Sequence, residues 1–330
     1  MSISTDFLQA VRPPQLDRID ADRLVAVADV LEPGELQDAV RYLLSSGGKQ
    51  LRPAMVLETA RYGPEPRGER VDAAALSVEL LHVGSLAHDD IVDGGELRRA
   101  WASTIEHSGI VTAGSAASWV FAKALETACQ LGQEAVRQLV TECKELCDGQ
   151  LMDSQDLFDT SRTRDRYMQT IDRKTSSLFR LASSMGAIAS RADSDVVETL
   201  RVFAHHLGLV FQMSDDVLDL VGTEEALGKP PGADLKHGVY TLAAIVAVER
   251  DPSLPALLPQ AAADEEALAH AVEAIAGCGA VEQAFEEIQR HAALAEEALA
   301  SLSCPEPEAA DRLRAVLTYA VERARPSEAS

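Results

Sequence analysis

Two short acidic clusters constrain this chain more than any other feature. HDDIVD carries Asp89, Asp90 and Asp93, and SDDVLD carries Asp215, Asp216 and Asp219. Each closes a run that is otherwise apolar, LLHVGSLA before the first and HLGLVFQMS before the second. On an α-helix the first and last Asp of each cluster share one face, one turn apart. Carboxylates at the end of a buried stripe are costly unless a cation neutralises them. The fold must therefore bring two helix ends to one cation-holding cavity. An all-oxygen donor set without His or Cys selects Mg²⁺ over zinc or copper. Such a site leaves coordination positions for phosphate oxygens, which implies a polyphosphate substrate.

The rest of the chain reads as helix nearly throughout. Leu76, Leu80, Val83 and Ala87 form one stripe at helical spacing, and Leu207, Val210, Phe211, Val217 and Leu220 form another. Alternating Val/Ile/Thr runs bounded by tight-turn dipeptides are absent, which argues against a sheet. Breaks fall at Pro13-Pro14, Pro33-Gly34, Gly47-Gly48, Gly63-Pro64, Gly94-Gly95, Pro230-Pro231, Pro252 to Pro259 and Pro305 to Pro307. None is a long linker, so residues 1–330 are expected to form a single all-α domain of ten or more helices, with short frayed termini near 1–14 and 325–330. The Ala/Glu-rich stretch from Ala261 to Leu302 is expected to be a peripheral layer with a solvated acidic face.

Composition removes several functions. Lys and Arg total 30 against 53 Asp and Glu, a net charge of −23. That balance argues against nucleic-acid binding and against docking on an anionic membrane. No run is long and apolar enough to span a bilayer, and the segment MSISTDFLQAVRPPQ lacks the basic start and apolar block of a secretion signal. The five cysteines, Cys129, Cys143, Cys147, Cys278 and Cys304, follow no disulfide or zinc spacing. A cytoplasmic location is the resulting expectation.

In so acidic a chain the cations stand out. They gather at Lys49 and Arg52, at Arg98-Arg99, at Lys174 and at Lys229. Anions held through Mg²⁺ still need direct cationic partners. With these pieces in order, the chain resembles the trans-isoprenyl diphosphate synthase (polyprenyl synthetase) family. The resemblance rests on GGKQLRP (Gly47 to Pro53), ELLHVGSLAHDDIVDGGELRR (Glu79 to Arg99), DGQLMD (Asp148 to Asp153), KTSSLF (Lys174 to Phe179), FQMSDDVLD (Phe211 to Asp219) and GKPPGADLKHGVYTL (Gly228 to Leu242).

The resemblance implies an isoprenoid-synthase-type helical bundle around a central cavity, acting as a homodimer. It implies Asp89, Asp93 and Asp215 as the main ligands of three Mg²⁺ ions, with Asp90, Asp216 and Asp219 in support. Arg98, Lys174 and Lys229 would hold an allylic diphosphate. Lys49, Arg52, His82 and Arg99 would hold the diphosphate of isopentenyl diphosphate. Thr175 and Gln212 would flank the reacting carbons. The implied reaction ionises the allylic C–O bond, adds isopentenyl diphosphate to the cation head to tail, and loses a proton. The loop from Gly228 to Asp234 is a candidate lid.

Departures from the family pattern fall at Ala100, Ala117-Ser118, Val239 and Ala243; Val239 replaces a lysine that would touch the allylic diphosphate. A class I terpene cyclase would carry a different second metal motif and have no use for GGKQLRP. A head-to-head synthase would lack GGKQLRP and GKPPGAD. A non-catalytic subunit of a heteromeric synthase usually has a damaged aspartate cluster, and neither cluster here is damaged.

A helical turn rises 5.4 Å, about one isoprene unit. Gly84 and Ser85, five and four residues before Asp89, would line the first turn of a product tunnel, and Leu81 the next. An aromatic at the first turn would stop growth near fifteen carbons in this family. Small residues there predict a product of twenty carbons or longer, with Trp119 and Phe121 on a facing helix as blocks lower down. Ser85→Phe is expected to shorten the main product, read by mass spectrometry of the dephosphorylated alcohols; an unchanged product overturns the tunnel assignment.

Overall fold

The structure, a computed structural model, describes residues 21–45, 50–93, 97–98, 101–102, 104–222 and 231–325. It opens with α1 (Ala21–Ala26), which tightens into a 3-10 turn, Val27–Val30, followed by α2 (Glu35–Ser45), α3 (Leu51–Thr59) and α4 (Glu69–Asp93). The only strands among the described residues are β1 (Leu97–Arg98) and β2 (Trp101–Ala102), an antiparallel clip pairing Leu97 with Ala102 and Arg98 with Trp101. Then come α5 (Thr104–Ser108), α6 (Ile110–Cys129), α7 (Gln133–Gln155) and α8 (Arg164–Ile171). A π-helical segment, Asp172–Ser176, joins α8 to α9 (Ser177–Ala189), and α10 (Ser194–Val221) follows. The remaining helices are α11 (Ala233–Lys236), α12 (Leu242–Arg250), α13 (Leu254–Leu257), α14 (Glu265–Gly277), α15 (Ala280–Ala300) and α16 (Pro307–Arg323).

The expected all-α architecture is what the structure has. Pro33-Gly34 precedes α2, Gly63-Pro64 follows the turn that ends α3, and Pro305 to Pro307 separates α15 from α16. Residues 1–14, where fraying was expected, lie outside the described residues, as do Pro13-Pro14 and Gly47-Gly48. All five cysteines are free thiols.

Helix α9 is the centre. Every residue from Ser177 to Ala187 is buried, and α3, α4, α7 and α10 pack around it. A helix buried all round cannot be amphipathic, so it draws on small and apolar residues on every side. Its serines satisfy themselves locally or across the packing, as when Ser183 donates to the Leu200 carbonyl at 2.9 Å. The two apolar stripes land as their spacing predicts: Leu80, Val83 and Ala87 are buried on α4, and Leu207, Val210, Val217 and Leu220 on α10.

The Ala/Glu-rich stretch is less peripheral than expected. Its second half, α15, packs directly on α10 through Val281, Ala284, Ile288, His291, Ala295 and Leu299. Those six recur at three- and four-residue spacing, so the helix has a continuous buried seam. The acidic face is real, with Glu282, Glu286 and Glu297 exposed.

The π segment is gripped from both sides at glycines. A β-carbon at Gly149 on α7 would lie 2.3 Å from the Lys174 amide nitrogen, and one at Gly208 on α10 would lie 2.6 Å from the Ser176 α-carbon. Only residues without side chains let both helices approach this closely. Gly149→Ala is therefore expected to destabilise the protein by about 1–3 kcal/mol through overpacking. Gly277→Ala, with open space around it at the end of α14, is expected to add about 0.4–1 kcal/mol. Denaturant unfolding of the two variants checks both signs.

Candidate active site

Near the C-terminus of α10 the second acidic cluster enters the interior. Asp216 and Asp219 are buried, while Asp215 keeps 41% of its side chain exposed. The Tyr167 hydroxyl of α8, itself buried, donates to Asp216 Oδ2. Gln212, one turn earlier, donates its amide to Asp216 Oδ1 at 2.8 Å. Burial, reinforced by the charges of Asp215 and Asp153, outweighs these two donors and lifts the Asp216 carboxyl to about 7. Burial and the adjacent Asp216 charge likewise push the Tyr167 phenol well above its ordinary range. Asp219 is used differently. Its Oδ2 accepts from the Asp234 amide at 2.9 Å and its carbonyl from the Gly232 amide at 2.7 Å. The carboxylate thus caps α11 and ties down the chain that returns after residue 230.

The π segment delivers Lys174 and Thr175 to the same place. Thr175 donates to Gln212 Oε1 at 2.7 Å, which completes a relay Thr175–Gln212–Asp216–Tyr167. Lys174 Nζ lies 2.7 Å from Asp153 Oδ2 of α7. Arg162 also reaches Asp153, at 3.4 Å, and sits 5.5 Å from the centre of the Tyr167 ring.

Arg52 and His82 meet as the sequence predicts, with Nη1 and Nε2 3.0 Å apart across α3 and α4. The Arg52 guanidinium lies 5.2 Å from the Phe179 ring centre, and Phe179 lies 5.2 Å from Phe211. On the far side of Phe211 sits the Arg323 guanidinium, 4.3 Å from its ring centre, which reaches Asp215 Oδ1 at 2.8 Å. A path of aromatic faces and cations therefore runs from the Arg52–His82 pair to the second cluster.

In the first cluster Asp89 is half-buried and Asp90 buried near the end of α4. One turn back, Gly84 and Ser85 are buried, as is Leu81 below them. The Ser85 hydroxyl is satisfied within its own helix, donating to the His82 carbonyl at 2.7 Å. Phe121 is placed higher than expected. A β-carbon at Gly84 would lie 3.1 Å from its ring, and His88 stacks on it with ring centres 5.1 Å apart. The ring therefore occupies the level of the first turn rather than a lower one. Trp119 is half-buried against the core.

Lys49, Arg99 and Lys229 lie outside the described residues, as does the lid segment as far as Pro230. The side chains of Asp93 and Arg98 do as well. Among the described residues no three His, Cys, Asp or Glu side chains converge closely enough to hold a metal unaided. The donor set nonetheless fits a hard divalent cation. It is all oxygen, and it includes a buried carboxylate raised to about 7 by neighbouring negative charge that a cation would neutralise. Mg²⁺ characteristically takes one or two carboxylates and completes its octahedron with substrate phosphate and water.

Sequence reading assigned no role to Tyr167, Asp153, Arg162 or Arg323. Asp153 stands within the DGQLMD motif and so had a signal. Tyr167 and Arg323 had none, because their contacts join residues 49 and 108 positions apart.

Comparison with known proteins agrees with this arrangement. The model of the polyprenyl synthetase family matches residues 33–275. A geranylgeranyl diphosphate synthase of Methanosarcina mazei is 37% identical over 262 residues, 77% of this chain and 79% of that one. Heptaprenyl diphosphate synthase component 2 of Geobacillus stearothermophilus is 34% identical over 275 residues, 80% of this chain and 85% of its own. The crystal structure of a Caulobacter crescentus polyprenyl synthase, complexed with calcium and isoprenyl diphosphate, superposes with a TM-score of 0.85 at 28% identity, covering 98% of both chains.

Tyr167→Phe removes one of the two donors that favour ionised Asp216. Its apparent Mg²⁺ affinity is expected to fall by roughly 10–100-fold, the range for a lost partner behind a metal ligand. In the parent protein, Asp216 holds its proton below about pH 7, so Mg²⁺ has to displace it and binding weakens on acidification. Mg²⁺ titrations at pH 6 and pH 8 check both.

Proposed function

The chain belongs to the polyprenyl synthetase family and is a prenyltransferase; from that premise we propose that it condenses isopentenyl diphosphate with an allylic diphosphate into a trans-polyprenyl diphosphate of twenty carbons or longer. The observation that carries this reading is the relay Thr175–Gln212–Asp216–Tyr167 beside Lys174. It couples a hydroxyl and an amide dipole to the acidic cluster at one point, where a cationic carbon and a departing diphosphate would lie together.

Arg52 and His82, with Lys49 and Arg99, hold the diphosphate of isopentenyl diphosphate. Lys174, with Arg98 and Lys229, holds the allylic diphosphate and takes up charge on its oxygens as the C–O bond breaks. Asp89, Asp93 and Asp215 would hold Mg²⁺, with Asp90, Asp216 and Asp219 in support. When bound, the metal supplies further neutralisation of the leaving diphosphate, and three ions are the proposed complement. The Thr175 oxygen and Gln212 amide oxygen face the developing allylic cation, and the rings of Phe179 and Phe211 keep water from it. The departed diphosphate then takes the proton lost on C–C bond formation. Positioning two substrates is the protein's main contribution. The isoprenyl diphosphate and calcium held by the Caulobacter relative support both substrate and metal class.

Product length is assigned to Phe121 rather than to Gly84. The glycine leaves room that the ring enters, so the ring borders the growing chain. Assembly as a homodimer is the proposed state, and a single domain acting in the cytoplasm is its setting; among the described residues no helix is long and apolar enough to cross a membrane. The likeness to a protein named component 2 favours one second reading, a catalytic chain that works with a different partner subunit.

Purified protein with Mg²⁺, isopentenyl diphosphate and C5, C10, C15 or C20 allylic diphosphates separates these. Linear alcohols growing in five-carbon steps after dephosphorylation support the homomeric synthase. Absence of turnover from every primer removes it and favours the two-subunit reading. In the active enzyme, Phe121→Ala is expected to lengthen the main product by at least one isoprene unit; an unchanged product overturns the role of the ring.

A further inference from the structure

Behind the π segment, on the side away from Lys174 and Thr175, lies a buried ionic cluster that the proposed chemistry does not use. Arg180 of α9 is its hub, with 6% of its side chain exposed. Its Nε and Nη2 donate to both oxygens of Glu142 on α7, at 3.2, 3.1 and 2.8 Å. Its Nη1 turns to the π segment, donating to the Asp172 carboxylate, to the Asp172 carbonyl at 3.5 Å and to Ser176 Oγ at 3.4 Å. His205 of α10 holds the same two residues, with Nδ1 2.9 Å from Asp172 Oδ1 and its carbonyl accepting from Ser176 Oγ at 2.7 Å. Arg201 adds a contact to Glu142 at 3.2 Å.

The first and last residues of the π segment are thus fixed to α7, α9 and α10 from behind. From the front, the two residues between them reach Asp153 on α7 and Gln212 on α10. We propose that Asp172 and Arg180 are positioning residues for ionisation of the allylic diphosphate, locking the π segment so that Lys174 and Thr175 address the diphosphate and the reacting carbon together. This rests on the reading of the site given above.

Three considerations carry it. A buried ion pair is weak support for stability alone, since apolar residues of similar volume often serve as well or better, while fixing one geometry is a use that apolar packing cannot match. Arginine spends a rigid fork of donors on two partners at once, which lysine cannot reproduce. A π turn within a helix is rare, frequently marks a functional site, and here needs partners to hold its wider geometry. Charge agrees with geometry: burial would raise the Asp172 carboxyl, yet the His205 hydrogen bond and the Arg180 charge outweigh it and hold the group below its ordinary value.

The test compares Asp172→Ala, Asp172→Asn and Arg180→Lys with the parent enzyme. Steady-state kinetics would be measured on an allylic primer and isopentenyl diphosphate, with thermal melting and hydrogen exchange of the 172–176 amides. The expected result for Asp172→Ala and Arg180→Lys is a fall in kcat of about 100-fold, the scale of a small misplacement of catalytic groups. KM for isopentenyl diphosphate should stay within about twofold, because Arg52 and His82 are untouched. Asp172→Asn, which keeps an acceptor for His205, should recover part of kcat. Unchanged kcat in Asp172→Ala and Arg180→Lys, with only an earlier melt, overturns the proposal. If Arg180→Lys does not fold, the half-exposed Asp172 variants decide it alone. Should the parent enzyme turn over no primer, the synthase reading fails, and exchange then judges the clamp: faster exchange at 172–176 in Asp172→Ala supports it, and unchanged exchange overturns it.

Discussion

Crowded carboxylates in a water-poor interior are the constraint to which the rest of this structure answers. Asp216 is buried beside Asp215 and within reach of the charge on Asp153, and the chain supplies no single counter-ion that satisfies all three. It distributes the task instead. Tyr167 and Gln212 donate to Asp216, Arg323 pairs with Asp215, and Lys174 and Arg162 pair with Asp153. A protein with 53 acidic residues against 30 basic ones thus sends several of its cations inward. Partial neutralisation leaves a site that still attracts a divalent cation, and with it a diphosphate.

That distribution dictates packing. Helix α16 ends with Arg323 buried over Phe211, so the last described helix contributes to a site whose other residues come from the middle of the chain. Phe211 and Phe179 carry the contact onward to Arg52 and His82. The aromatic faces do two things here: they keep the interior dry, and they give buried guanidinium groups a favourable surface where carboxylates alone would add more negative charge.

Precision comes from the backbone. A π segment between α8 and α9 is pressed by Gly149 on one side and Gly208 on the other, at distances no side chain permits. Glu142, Arg180 and His205 anchor its ends from behind, while Asp153 and Gln212 receive Lys174 and Thr175 from the front. Each contact draws on α7 or α10, so the segment is set by three helices at once, and the central burial of α9 keeps those helices fixed relative to it.

Much of this was legible in the residues. Helical periodicity gave the architecture because burial of one face imposes three- and four-residue spacing whatever the neighbours are. The aspartate clusters, Arg52 with His82, and Thr175 with Gln212 were legible because site chemistry requires particular donors in short motifs. Other features had no local signature. Phe121 reads as an ordinary core aromatic, and only the crossing of α6 over α4 sets its ring against Gly84 and His88. Arg180 looks like any buried-helix arginine until Glu142 and Asp172 are found on either side of it. The seam of α15 was underestimated because an Ala/Glu-rich composition does not say which neighbour its alanines touch. Sequence by itself determined the helices, the acidic motifs and the class of chemistry, since these depend on residue type and short spacing. Tertiary structure alone decided which cation meets which carboxylate, how the π segment is held and where the ring of Phe121 lies, because charge pairing and close packing act through space between residues that are distant along the chain.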